Sequence, residues 1–154
     1  MKTNYLVALA ATGLLLASIA SAQEKKIKRS DLPPAVEKTV AAQSEGATIR
    51  GFSTEKENGQ TLYEVELMVN GHSKDISMAA DGSIVEIEEQ VALDSLSADV
   101  KAGLHAKSGE GKILKVESLT KKDKLVAYEA QVDTNGKKSE IQVGPDGKPL
   151  AHEE

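Results

Sequence analysis

The sequence predicts an α+β fold of two tandem repeats, each one helix followed by a three- to four-stranded antiparallel meander with the helix on one sheet face. Three observations carry this expectation. The chain aligns with itself at an offset of 65 residues, so that Tyr63-Glu64 falls on Tyr128-Glu129, Ile76 on Ile141 and Asp81-Gly82 on Asp146-Gly147. Asn-Gly dipeptides, Asn70-Gly71 and Asn135-Gly136, divide alternating apolar and polar runs in both copies, the strongest short-range signal for a hairpin. Ahead of each hairpin, apolar residues recur at four-residue spacing: Leu32, Val36 and Val40, then Leu96, Val100 and Leu104. A period this long describes a pair of small domains rather than a solenoid.

In chain order, the first element is a leader. Lys2, an apolar run over residues 5–19 and then Ala20-Ser21-Ala22 follow the pattern of a secretory signal peptide, assigned to residues 1–22. That run falls short of the roughly 20 apolar residues that span a bilayer, so no stable membrane anchor is expected after cleavage. The exported protein is expected in the periplasm or the extracellular medium. Residues 23–90 form the first expected repeat and residues 91–154 the second.

Composition narrows the function classes. The sequence has no cysteine, so neither a disulfide nor an acylated cysteine braces or tethers it, and stability rests on packing. Its formal net charge of −5 argues against a nucleic-acid ligand, whose phosphates are bound through Lys and Arg.

Each repeat opens with a helix. Pro33-Pro34 begin the first, where a missing amide hydrogen costs nothing, and Ser97 is the expected N-cap of the second, with Asp99 in its first turn. Gly46 and Gly109 mark the stops. Strands are expected over residues 48–54 and 113–119, with a bulge at Gly51, before each hairpin. Centring a two-residue turn on Asn70-Gly71 sets Val65 opposite Ile76 and Tyr63 opposite Met78; about Asn135-Gly136 it sets Ala130 opposite Ile141 and Tyr128 opposite Val143. A fourth strand is expected over residues 83–87, whereas Pro149 demotes its counterpart. The link over residues 86–95 has no Pro or Gly and is too apolar for a free tether, so the two copies are expected to pack as one body.

The run Asp31-Leu32-Pro33-Pro34-Ala35-Val36, with Glu45-Gly46-Ala47-Thr48-Ile49, Tyr63-Glu64-Val65, Gly71 and Ala80-Asp81-Gly82-Ser83-Ile84, resembles a repeat of the PepSY-like family. The likeness is greatest to its exported bacterial branch similar to the β-lactamase inhibitor protein. Leu96, Val100, Leu104, Tyr128-Glu129, Gly136 and Asp146-Gly147 carry it through the second copy. The resemblance implies a non-enzymatic exported module whose relatives restrain peptidases or bind β-lactamases across an open sheet face. Tight inhibitors concentrate binding in aromatic and arginine anchors. Here there is no Trp and one Phe, so weaker binding through a polar face is the expectation.

That face is the candidate site. Opposite the apolar side of the hairpins stand Glu64, Glu66, Asp75 and Ser77 in the first copy, and Glu129, Gln131, Asp133, Lys138, Glu140 and Gln142 in the second, with Asp133 facing Lys138. These ten residues are expected to look at water and to meet a protein or peptide of the cell envelope. Without a cleft or an apolar wall, nothing in the sequence raises the pKa of Glu64 or Glu66. No cofactor, metal ligand or catalytic set is predicted: His72, His105 and His152 do not converge, and the Asp-Gly pairs read as turns rather than calcium loops. The chain therefore reads as an exported, non-catalytic, inhibitor-like binding or regulatory module. The alternatives are a structural or cation-buffering envelope protein and a hydrolase with a site between the repeats, near residues 88–94.

Overall fold

The computed structural model describes residues 24–154. The expected signal peptide lies outside the described residues.

Local chemistry accounts for both helices. Helix α1, Pro34–Gln43, starts on a proline with Pro33 before it in extended backbone, and Ser44 closes it. Helix α2, Ala98–Ser108, is capped by Ser97, whose Oγ accepts from the Val100 amide at 3.3 Å, and Gly109 ends it at φ 57°. Each buries the expected stripe, Val36 and Val40 in α1 and Val100 and Leu104 in α2.

Eight strands form one sheet in simple chain order: β1 (Lys25–Lys26), β2 (Thr48–Glu57), β3 (Gln60–Val69), β4 (His72–Met78), β5 (Ile84–Gln90), β6 (Lys112–Lys121), β7 (Lys124–Thr134) and β8 (Lys137–Val143). All neighbours are antiparallel. The hairpin registers are those set by the Asn-Gly turns, with Val65 opposite Ile76 and Tyr63 opposite Met78. In the later hairpin Ala130 lies opposite Ile141 and Tyr128 opposite Val143. Asn70, Gly71, Asn135 and Gly136 all have positive φ, as a tight hairpin turn of this hand requires. The register of β2 against β3 shifts between Ile49 and Gly51, the bulge the glycine signals.

One element differs from its expected extent in a way that matters. Strand β5 runs on through Gln90, and its outer edge pairs with β6 from Glu86 opposite Lys121 to Gln90 opposite Glu117. The apolar link is thus partly strand, and the meanders join edge to edge. Ile87 pairs with Ile76 on one side and Thr120 on the other, so the helix-facing side is continuous across the join.

Both helices lie on that side. Around α1, Val65, Leu67, Ile76 and Met78 are buried, with Phe52, Tyr63 and Ile87 packed against them. Around α2 the corresponding set is Val116, Ala130 and Val143, with Tyr128 and Ile141. The two Asp-Gly turns dock on the helices. Thr39 Oγ1 donates to the Gly82 carbonyl at 2.7 Å, and a Cβ at Gly147 would run into the backbone of Asp99 and Val100. Asp81 Oδ1 accepts from the Ser83 amide and hydroxyl at 2.9 and 2.6 Å, which is turn chemistry. After β8, Gly144 to Lys148 reverse the chain, and no further strand follows among the described residues.

Candidate binding face

Strand alternation puts all ten candidate residues on the side of the sheet away from the helices. Their direct pairings are Glu64 with Ser77 and Glu66 with Asp75, then Glu129 with Gln142, Gln131 with Glu140, and Asp133 with Lys138. The join interposes residues that the hairpins alone do not reveal. Asp75 lies opposite Glu88 and Ser77 opposite Glu86, while Gln90 faces Glu117, itself opposite Glu129. Three directly opposed pairs, Glu66 with Asp75, Asp75 with Glu88, and Glu117 with Glu129, are therefore carboxylate on carboxylate, an arrangement that destabilises a sheet when both members are charged.

The face is less exposed than expected, and this corrects the reading of ten residues looking at water. Gln142 is 6% exposed, and Glu64, Glu66, Asp75, Ser77, Glu129, Gln131 and Asp133 are half-buried, while Lys138 and Glu140 are exposed. Leu62, Leu119 and Ala127 are buried on the same side, supplying the apolar surroundings the sequence did not reveal. The chain also returns to this face at Glu154, whose amide donates to Gln142 Oε1 at 2.8 Å.

Burial and crowding shift the acids upward. Burial first, then the charges of Asp75, Glu24, Glu66 and Glu55, raises Glu64 to about 7, which overturns the expectation of an unperturbed group. Asp75 rises to about 6 through burial and the Glu117 carboxylate, with Lys115 pulling the other way. Glu88 rises to about 8 through burial, then Glu86, Glu129, Glu117 and Asp75. Burial also raises Glu129, although a 2.8 Å hydrogen bond donated by Gln142 Nε2 opposes it.

Cations balance part of this charge. Lys115 Nζ lies 2.7 Å from Glu117, and Lys121 Nζ lies 3.1 Å from Glu86. Burial alone would lower the Lys115 pKa, but the bond to Glu117 and the fields of Glu117, Asp75 and Glu88 raise it. Asp75, Glu88 and Glu117 each bring a carboxylate oxygen within 4.8 Å of the others, a hard-oxygen set of the kind a divalent cation takes. Ser53, opposite Glu64, is fully buried, and its Oγ has no hydrogen-bond partner.

Glu117 is the residue the sequence reading missed, while Glu88 entered it only through the alternative site near residues 88–94 and not as part of the binding face. Glu86 and Glu88 alternate about Ile87, a strand signal that is visible once β5 is extended. Glu117 carries no local signal, because its significance comes from the strands on either side. The three histidines stay apart and exposed, His72 opening β4, His105 on α2 and His152 near the end of the sequence.

No protein-family model matches this chain, and no curated protein matches it by sequence. Its fold is shared with solved structures. A protein described as periplasmic from Bacteroides eggerthii matches with TM-score 0.62 at 19% identity, over 77% of this chain and 86% of that one. A DUF2874 family protein from Bacteroides ovatus matches with TM-score 0.60 at 19% identity, over 77% and 84% of the two chains. A BLIP-like protein from Bacteroides fragilis gives TM-score 0.57 at 16% identity, over 77% and 83%. At these identities the likeness is one of fold, a helix-backed antiparallel sheet common to the DUF2874 and BLIP-like structures.

Proposed function

We propose that this protein is an exported, non-catalytic binding module of PepSY-like type, built from two tandem copies, that offers the open face of its sheet to a protein or peptide of the cell envelope. The observation that carries the reading is the carboxylate ladder on that face. Like charges set directly opposite one another cost stability, and a positively charged partner would relieve that cost. Support for export comes from the leader over residues 1–22 and from a structural neighbour described as periplasmic. Support for a duplicated origin comes from the 65-residue self-similarity and from an element order in which a helix followed by antiparallel strands occurs twice. The inhibitor-like character rests on the family resemblance and on the BLIP-like neighbour alone.

The test is capture of partners from the producer's envelope fraction on the mature protein and on a Glu64→Lys, Glu66→Lys, Glu129→Lys variant that retains its melting transition. Loss of the main partner from the variant supports the reading; the same partners on both refute it.

A second reading, cation buffering, is favoured by the Asp75, Glu88 and Glu117 oxygens. It requires millimolar calcium to raise the melting temperature, since a ligand of the folded state stabilises it by mass action. A hydrolase would find a base of raised pKa at the join in Glu88. The residues paired with it are a second carboxylate, Asp75, and the apolar Leu119, so the join reads first as crowded like charge that a partner would relieve.

A further inference from the structure

The segment at the end of the sequence crosses from one side of the sheet to the other. Its root is held on the helix side, where the Gly147 backbone lies against Asp99 and Val100 of α2. Its far end sits on the opposite side, at Gln142 of the edge strand β8. The chain between them therefore wraps the sheet edge.

The two ends differ in how firmly they are held. Gly144 and Gly147 close the root turn with backbone hydrogen bonds of 2.8 Å each. The far end has one hydrogen bond, from the Glu154 amide to Gln142 Oε1, and one long ion pair, Glu154 Oε2 to Lys121 Nζ at 3.9 Å. Lys121 is shared, because Glu86 holds it more closely at 3.1 Å. Glu154 also lies in a recess where four carboxyl groups, Glu55, Glu57, Glu86 and Glu88, outnumber two cations, Lys56 and Lys121, so the pull of Lys121 is partly offset.

We propose that residues 151–154 are a displaceable strap over the binding face, closing the Gln142–Lys121 end until a basic segment of the partner takes their place. This rests on the binding-face reading above. The chemistry of exchange is simple. The strap sets an acidic residue beside Glu55 and Glu86, whereas lysine or arginine side chains would meet Glu86 and Glu129 with the opposite sign. Gln142 is the contact that changes hands: its buried amide gives its Nε2 hydrogen to Glu129 and takes the strap's N–H at its oxygen.

The test uses a labelled oligolysine at low salt, with the mature protein, a variant lacking residues 151–154, and Glu154→Gln. Deleting the segment removes negative charge, which alone would weaken binding of a cation. The proposal requires the reverse, an affinity about three- to tenfold tighter for the deletion, as expected when a closed state no longer competes. Glu154→Gln keeps the backbone bond and loses the ion pair, and gives a smaller gain. In the mature protein the Glu154 amide is protected from hydrogen exchange when free and loses that protection on saturation with oligolysine. Equal or weaker binding by the deletion variant overturns the strap and leaves the binding face standing. Absence of oligolysine binding by all three proteins overturns both.

Discussion

Glu88 shows how much a single side chain's behaviour depends on its neighbours. As a lone strand glutamate it would titrate near its ordinary value, but burial and the surrounding carboxylates raise it to about 8, with Glu64 at about 7 and Asp75 at about 6. The folded protein therefore holds protons that the unfolded chain releases between about pH 4 and 8. The stability tied to these three groups is fully present at or below the ordinary carboxylate range and is lost as pH rises through the raised values. We predict that the melting temperature drops by about 3–8 °C between pH 5 and pH 9, and that Glu88→Gln raises it at pH 8 while flattening the profile. Thermal melts across pH check this; a profile that climbs with pH, or is unchanged in the variant, contradicts it.

Among the elements, the helices illustrate two ways of reaching the same position. Helix α2 has a side-chain cap in Ser97, whereas α1 begins on prolines without one. Ser97→Ala should cost about 1 kcal/mol, read as a shifted denaturation midpoint with unchanged slope. The Asp-Gly turns matter more than their turn geometry alone implies. At Gly147, φ is +78° and the space a Cβ would need is filled by Asp99 and Val100 backbone. Gly147→Ala is predicted to destabilise by about 2 kcal/mol or more in chemical denaturation. Gly71→Ala makes a useful control: its φ of +86° is similar but its surroundings are open, so its cost is smaller. Equal costs at the two glycines would mean that backbone conformation, not helix docking, sets both.

For the molecule as a whole, the join between β5 and β6 makes two helix-backed layers share one sheet. Ile87 and Thr120 face each other across it on the core side, and Glu88 and Leu119 on the other. Such a continuous interface should couple the halves. Val36→Ala on the buried side of α1 and Leu104→Ala on the buried side of α2, both fully buried positions, should each lower a single unfolding transition, the leucine change by about 2–5 kcal/mol. Calorimetry that resolves two transitions, with each substitution moving only its own, would show that the join does not couple them.

How much of this was legible beforehand follows from the range of the interactions involved. The sequence alone determined the helix stripes, the Gly51 bulge and the pairing within each hairpin, because an Asn-Gly turn and a period of two or of 3.6 are local properties. It also placed all ten candidate residues on the side away from the helices, since strand alternation settles that much. The tertiary structure alone decided that β5 meets β6 and that Glu88 and Glu117 stand between the two candidate clusters. It also decided that Glu154 comes back to this face at Gln142 and Lys121. Strands on either side of α2 have no turn to specify their register, and a carboxylate's affinity for protons depends on the charges and burial that several strands supply together.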